Sequence, residues 1–471
     1  MAAGDIVIVF DCGATNVRAI AINSKGEILA SHSIPNNTRS DPFYPFYRVW
    51  DIHEIWNKMC LASKKIMRHI DPDNIAGVTV TTFGVDGTLF DKNGEMLYPV
   101  ISWQCERTNP IMEGIGKYIP AEDLYRESGV LPFNFNTINK LIWFRENRPE
   151  LLDKSSKFLF MPSIFVFLLT GEMVNDITMA GTSMLTSLRT RRFSESILNR
   201  TGYAIEKLGI PQEPGTIAGT ITKRASSDTS IPIHVPVVLT GHDTQFAIFG
   251  SGAGKNEPVL SSGTWEILMV RAEEFKSGKD QMDAGITTEF DSSPGLFDIG
   301  NQWIASGVVE WARKNLYNDI KRNVYETMIS GAEKVPPGCN GVKVIPKFFE
   351  ELSGRPGGEI LGLTMGSTRD EIYRAILESL AARLAEGKKA LENAGGFTAE
   401  NILCVGGGSK NRLWNKLRAG FAGVPVKIID HKETTVLGAS LYVQAACGNA
   451  SSPGEAREAV KFKIEIIEPG E

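Results

Sequence analysis

Twice in 471 residues an apolar run enters a turn of glycine and hydroxyl side chains and comes straight back as a second apolar run. The first copy is Ile6-Val7-Ile8-Val9-Phe10 followed by Asp11-Cys12-Gly13-Ala14-Thr15-Asn16-Val17-Arg18. The second is Pro258-Val259-Leu260-Ser261-Ser262-Gly263-Thr264-Trp265-Glu266-Ile267-Leu268-Met269-Val270. A buried β-branched run predicts a strand, and glycine lets the backbone turn sharply behind it. Thr15 and Asn16 can then offer donors to phosphate oxygens. A carboxylate among phosphate donors repels the ligand unless a cation lies between them. Asp11 is therefore expected to hold hydrated Mg²⁺, with Arg18 helping to neutralise the transferring group. One such turn is an ordinary strand end; two, one in each half, predict a clamp on a single triphosphate nucleotide.

Composition sets the outer limits. The chain is 42% hydrophobic and 22% charged, ordinary for a globular protein and too long for one compact core, which predicts two large domains. A formal net charge of -5 with scattered basic residues gives no reason to expect nucleic acid or an anionic membrane as partner. A small-molecule ligand is expected, and self-association into a homo-oligomer remains compatible with the composition. Cys12, Cys60, Cys105, Cys339, Cys404 and Cys447 lie far apart, without C-x-x-C spacing, so reduced thiols are expected. The longest apolar stretch, Phe158 to Thr170, contains Pro162 and Ser163 and is too short for a bilayer, and no basic region opens the chain. A cytoplasmic protein is expected.

Along the chain, small residues in Gly250-Ser251-Gly252-Ala253-Gly254-Lys255-Asn256-Glu257-Pro258 mark a domain border and hinge. The expected domains are 1–254, with the first phosphate turn and the acceptor site, and 255–471, with the second turn and adenosine binding. The run is no Walker A loop, since Phe249 and Asn256 stand where glycine and Ser or Thr belong, and Lys255 breaks G-x-G-x-x-G. Asp51 and Glu54 predict a capping box before a helix to about Ile70. Ile75 to Thr82 reads as a strand and Thr137 to Asn147 as an amphipathic helix. Asp370 to about Asn393 reads as a long helix stopped at Gly395-Gly396. A strand from Asn401 to Val405 should enter Gly406-Gly407-Gly408-Ser409, with Ser409 capping a helix that buries Leu413, Trp414, Leu417 and Phe421. Ile428-Ile429-Asp430 is expected as a strand and Thr434 to Ala446 as a last helix.

Gly241-His242-Asp243-Thr244-Gln245 follows the apolar run Val235 to Leu239, which puts Asp243 at a strand end within reach of a ligand. A carboxylate there can accept a proton from a hydroxyl as its oxygen attacks phosphorus, and His242 and Gln245 can bond neighbouring hydroxyls.

Two longer stretches carry a resemblance. Phe135-Asn136-Thr137-Ile138-Asn139-Lys140-Leu141-Ile142-Trp143-Phe144-Arg145-Glu146-Asn147 fits the first signature of the FGGY carbohydrate kinases. Gly358-Glu359-Ile360-Leu361-Gly362-Leu363 with Glu371-Ile372-Tyr373-Arg374-Ala375-Ile376-Leu377-Glu378 fits the second. The chain resembles that family along nearly its whole length. The resemblance implies an α/β fold of two actin-like ATPase domains, as in the sugar kinase, Hsp70 and actin superfamily, with ATP, Mg²⁺ and a ketose meeting in the cleft. It assigns Asp11 to the metal–phosphate site, Thr15, Asn16 and Arg18 to the first phosphate turn, and Gly263 and Thr264 to the second. Gly407 and Asn411 fall near the adenosine, and Asp243 is the proton acceptor. Sugar contacts fall to Gly84, Val85, Asp86, Trp103, His242, Asp243 and Gln302. Cys105 stands where several relatives have an acid, and Glu310 where some have a glutamine.

Thr81-Thr82-Phe83-Gly84-Val85-Asp86-Gly87 and Gly241-His242-Asp243-Thr244-Gln245-Phe246 resemble the members that act on L-fuculose, and His-Asp-Thr is shared with those acting on L-rhamnulose. The expected reaction is transfer of the γ-phosphoryl group of ATP to O1 of L-fuculose, with Phe83, Val85, Trp103 or Phe246 meeting the sugar's methyl group. L-rhamnulose, D-ribulose and D-xylulose are the alternatives, since one hydroxyl more or less in an apolar pocket discriminates weakly. A non-kinase ATPase of the same superfamily is the competing class, and it leaves Gly241-His242-Asp243 and both signatures unexplained.

Overall fold

In the computed structural model, which describes residues 4–348, 357–429 and 433–470, two mixed sheets follow one plan. Strand β1 (Ile6–Cys12) returns as β2 (Asn16–Ile22) and β3 (Ile28–Pro35) completes the meander. After helix α1 (Ile52–Ile66), strand β4 (Ile75–Thr82) lies parallel to β1. Helix α2 (Thr137–Asn147) and strands β5 (Ile217–Thr220) and β6 (Pro236–Val238) follow, giving the order β5-β6-β4-β1-β2-β3. Helix α3 (Asp243–Gly250) leads into the second sheet through β7 (Val259–Ser262), β8 (Trp265–Ala272), β9 (Thr287–Phe290) and β10 (Phe297–Ile304). Helices α4 (Ser306–Leu316) and α5 (Arg369–Gly395) precede β11 (Ile402–Val405), α6 (Arg412–Ala422), β12 (Val426–Ile429), α7 (Thr434–Ala446) and β13 (Ile464–Ile467). That sheet runs β9-β10-β8-β7-β11-β12-β13. From its outer meander strand inward, each sheet reads antiparallel, antiparallel, parallel, parallel: β3-β2-β1-β4-β6 and β10-β8-β7-β11-β12. The loops that leave the parallel strands consequently gather at one edge of each sheet, the place where open α/β sheets hold ligands.

Local sequence explains most of these elements, and packing explains where they depart from expectation. Asp51 caps α1 by accepting from Glu54 N at 3.0 Å. Glu54 instead turns its carboxylate to Arg39 and Lys58, so the expected capping box is half formed. Helix α2 has the expected limits, but Thr137 through Phe144 are all buried, so it is a core helix and not an amphipathic one. Helix α5 opens with a full capping box between Thr368 and Glu371 and stops at Gly396, whose φ of 66° suits glycine. Asn411, not Ser409, caps α6: its Oδ1 accepts from Trp414 N at 3.1 Å, while Ser409 donates back to Gly406 O. Phe421 is 46% exposed, and the buried face of α6 uses Arg418 with Leu413 and Trp414. The expected strand residue Asp430 lies outside the described residues.

Helix α7, late in the chain, packs on the first sheet. Val7, Val9, Ile20 and Ile22 share a core with Phe246 and Phe249 of α3 and with Val436 and Leu437 of α7. The helices α3 and α7 cross backbone to backbone: a Cβ on Gly250 would fall 2.0 Å from Thr434 O, and one on Gly438 2.0 Å from Phe246 O. Gly250, expected in a flexible hinge, is instead the last residue of a tightly packed helix. Among the described residues no helix is long and apolar enough to cross a membrane.

Candidate active site

The parallel strands β1, β4 and β6 deliver three loops to one place. Behind β1 the chain turns through Gly13, whose N–H donates to Asn16 O at 2.8 Å, and Asn36 clamps the turn by donating Nδ2 to Gly13 O at 3.0 Å and N–H to Thr15 O at 2.8 Å. Behind β6, Gly241 O accepts from Thr82 N at the end of β4, which sets His242 and Asp243 beside Gly84. Asp11, Thr15, Asn16, Arg18 and Asp243 thus line one cavity of about 530 Å³, together with Glu433 and Thr435. Five residues singled out in sequence for phosphate, metal and proton transfer are brought together here. Arg18 is held by two carboxylates in this cavity. Its Nε and Nη2 donate to Asp11 Oδ2 at 2.9 and 2.5 Å, and Nη1 donates to Glu433 Oε2 at 2.8 Å, so it bridges two carboxylates.

Asp243 is the first residue of α3, with a third of its side chain open to the cavity. Burial is the main influence on its pKa and raises it; the nearby His242 pulls it down and Asp11 pushes it up, with a net rise above the ordinary carboxylate value. A raised pKa in a carboxylate that faces a cavity suits a group that must take up a proton. His242 Nε2 lies 3.4 Å from Asp243 Oδ1, and a Cβ on Gly84 would stand 2.8 Å from the same nitrogen, so glycine at 84 is what admits the imidazole.

In the second half, Gly263 and Thr264 form the exposed turn between β7 and β8. The start of α4 braces it, with Ala305 N and Gly307 N both donating to Thr264 O and Ser306 N to Gly263 O. Ser261, one residue before β7 ends, and Gly407, in the loop behind β11, line a second cavity of about 770 Å³, which shares Thr435 with the first. The two cavities therefore meet at the start of α7. Asn411 does not line this space: besides capping α6 it donates Nδ2 to Tyr373 Oη at 3.1 Å. No cluster of three His, Cys, Asp or Glu side chains able to hold a metal occurs among the described residues, and Asp11 shares its cavity with the carboxylates of Asp243 and Glu433.

The loop behind β4 holds Val85 at a φ of 64°, a strained conformation for a β-branched residue. Its carbonyl accepts from Thr137 Oγ1 at 2.8 Å and Lys140 Nζ at 3.0 Å, both in the first family signature. Asp86 is wholly buried: Lys140 ion-pairs with one oxygen, and Trp50 Nε1 and Trp103 N donate to the other. It presents no oxygen to the cleft and instead positions Trp103. Trp103 packs edge-on to Phe135, and its Nε1 is buried with no partner among the described residues. Cys105 is buried and accepts from Arg48 N and Arg107 Nε through Sγ. Phe246 is fully buried against Tyr442 and cannot serve as a wall for a ligand. Gln302 is exposed and lines a separate cavity of about 420 Å³ with Trp265 and Arg383, so it is not brought to Asp243. Lys140, Glu289 and Glu433 join the surroundings of the site without having been singled out for it. Only Lys140 carried a sequence signal, as the lysine of the first signature.

Residues 6–250 match the N-terminal domain of the FGGY family of carbohydrate kinases, and residues 259–447 match its C-terminal domain. The chain is 42% identical over 465 residues to L-fuculokinase of Escherichia coli strain K12, covering 99% of this chain and 97% of that protein. It is 41% identical over 471 residues to L-fuculokinase of Haemophilus influenzae, covering 98% and 99%. Among solved structures, xylulose kinase from Rhodospirillum rubrum superposes with a TM-score of 0.89 at 20% identity, covering 98% of this chain and 94% of that one. Plasmodium falciparum glycerol kinase with ADP superposes with a TM-score of 0.85 at 19% identity, covering 99% and 94%. The duplicated sheet plan, the cleft between the halves and both domain matches agree: the chain belongs to the FGGY family of carbohydrate kinases.

Proposed function

We propose that the protein transfers the γ-phosphoryl group of ATP to O1 of L-fuculose, giving L-fuculose 1-phosphate and ADP. The observation that carries the chemistry is the placement of Asp243 in one cavity with Asp11, Thr15 and Asn16. The near-full-length likeness to L-fuculokinases supports the choice of sugar. Asp243 accepts the proton of the O1 hydroxyl as that oxygen attacks the γ-phosphorus, and the bond to the β-phosphate oxygen breaks to release ADP. Thr15, Asn16, Gly263 and Thr264 hold phosphate oxygens from the two sides, and the cavity bounded by Gly407 and Ile428 takes the adenosine. Asp11 is the residue that would hold Mg²⁺, whose charge would offset that of the phosphates. Trp103, with an unsatisfied Nε1 and a stacked Phe133–Phe135 pair beside it, offers the sugar one donor and an apolar wall for its methyl group. A cytoplasmic setting suits the six cysteines, none of which is in a disulfide.

The test is coupled ADP release with L-fuculose, L-rhamnulose, D-ribulose, D-xylulose and glycerol. L-fuculose should give the highest kcat/KM, with measurable turnover of L-rhamnulose. A higher value for glycerol or D-xylulose would overturn the substrate, and ATP hydrolysis indifferent to every sugar would overturn the kinase reading.

A further inference from the structure

Glu289 stands on β9, the outermost strand of the second sheet, yet its carboxylate reaches the residues on both sides of Asp243. Gln245 Nε2 donates to Glu289 Oε2 at 2.7 Å, and His242 Nδ1 lies 3.7 Å from the same oxygen. With Nε2 of that ring 3.4 Å from Asp243 Oδ1, the imidazole lies between two carboxylates, one from each half. Both His242 and Glu289 are largely withdrawn from solvent, at 14% and 12% side-chain exposure. The ring is boxed in elsewhere. Gly84 closes one side, and His242 N donates to Thr178 Oγ1, which donates in turn to Asp176. Strand β9 is itself tied to the first half, since Thr288 N donates to Gly129 O at 2.8 Å and Tyr125 Oη donates to Ile286 O at 2.7 Å. Glu289 therefore faces the imidazole from a fixed support.

At 3.7 Å this contact is electrostatic and not a hydrogen bond, and Nδ1 is buried without another partner among the described residues; a carboxylate at that range favours a proton on the facing nitrogen, which defines what the other nitrogen presents to its neighbour. We propose that Glu289 is a positioning residue for phosphoryl transfer, holding His242 so that Nε2 stays against Asp243 and the Asp243 carboxylate stays aimed at the acceptor hydroxyl. The proposal rests on the reading of Asp243 as proton acceptor. Burial, the largest influence on His242, works to lower its pKa, but Glu289, Asp243 and Asp176 together lift it above the ordinary histidine value.

Glu289→Gln keeps an oxygen for Gln245 and removes the charge that faces the ring. Kcat, both KM values and the melting temperature are measured for Glu289→Gln, Glu289→Asp, His242→Gln and the double variant Glu289→Gln/His242→Gln, with Asp243→Asn alongside. A kcat loss of about tenfold is expected for Glu289→Gln, with the KM for ATP within about twofold, because the lost interaction acts on the chemical step. Glu289→Asp should recover part of that loss, and it carries the test if the Gln variant does not fold. The double variant should be no slower than His242→Gln, since residues acting as a unit are not additive. Unchanged kcat in Glu289→Gln, equal losses in the Gln and Asp variants, or additive losses in the double variant would overturn the proposal. Near-normal kcat in Asp243→Asn would instead overturn the base assignment, and with it this proposal.

Discussion

The two phosphate hairpins place an acid beside the turn in opposite ways. In the first, Asp11 and Arg18 face each other across β1 and β2, and both line the cavity. In the second, Ser262 faces Glu266 across β7 and β8, and the Glu266 side chain has no solvent exposure at all. One oxygen of Glu266 is ion-paired with Arg418 and accepts from Ser262 Oγ at 2.9 Å, and the other accepts from Trp303 Nε1 at 2.9 Å. Arg418 stacks 3.7 Å from the centre of Trp414 and donates to Asn415 Oδ1, while Asn415 Nδ2 holds Ser409 O of the glycine loop. The second turn therefore shows phosphate only backbone and hydroxyl groups. The first keeps a carboxylate where a cation can meet it. A triphosphate between two acids lining its site would be repelled from both sides; on the proposed reading Asp11 serves the ligand, while Glu266 serves the core.

Four experiments would break or sharpen this contrast. The largest effect belongs to the cleft. Asp243→Asn preserves size while removing the proton acceptor, so kcat should fall by about 10² to 10⁴ with little change in melting temperature. A turnover above about a tenth of wild type would place Asp243 among the structural acids. Next comes the buried pair. Arg418→Met leaves Glu266 charged and buried with no cation beside it and should cost about 3–5 kcal/mol of stability in urea unfolding. Adding Glu266→Gln to it should restore most of that loss, and a double variant as unstable as the single would deny that charge burial is the cause. Asp11→Asn should be milder for the fold and selective for ligand: calorimetric affinity for Mg-ATP should drop about 10- to 100-fold while sugar affinity holds. Equal weakening of both ligands would remove the distinction between the hairpins.

The last experiment concerns a third kind of acid, buried without an ion-pair partner among the described residues. Asp176 caps the helix Ile177–Thr182 through one oxygen, and its other oxygen has no partner among the described residues. Burial pushes its pKa up to about 6, against the pull of its bonds from Thr178 and Met179. A carboxyl whose folded pKa is raised contributes its stability fully below the unfolded value, near pH 4, and loses it as pH rises through 6. Asp176→Asn should match wild type near pH 4 and gain up to about 3 kcal/mol above pH 6. A gap independent of pH would show that ionisation of Asp176 is not its origin.

Both hairpins, α2 and α7 were legible in the sequence because each depends on residues close together in the chain: a β-branched run, a turn glycine, a helical repeat. Asp11, Thr15, Asn16, Arg18 and Asp243 were legible as a set because topology brings the ends of parallel strands to one edge. Other candidate residues already have intramolecular partners. Asp86 and Asn411 have the chemistry of ligand contacts, but Lys140, Trp50 and Trp103 bury and occupy the first, and the start of α6 with Tyr373 takes one donor and one acceptor of the second. Phe246 looked like a pocket wall until α7 covered it. Nothing near Glu266 or Glu289 in the chain hints at Arg418 or His242.

The sequence by itself determined the strands, the turns, the helix limits and the duplicated phosphate motif, all set by short-range sterics and apolar periodicity. Tertiary structure alone decided which charges remain in the cleft and which are buried and neutralised, because the desolvation of a side chain depends on whatever element, however distant in the chain, comes to cover it.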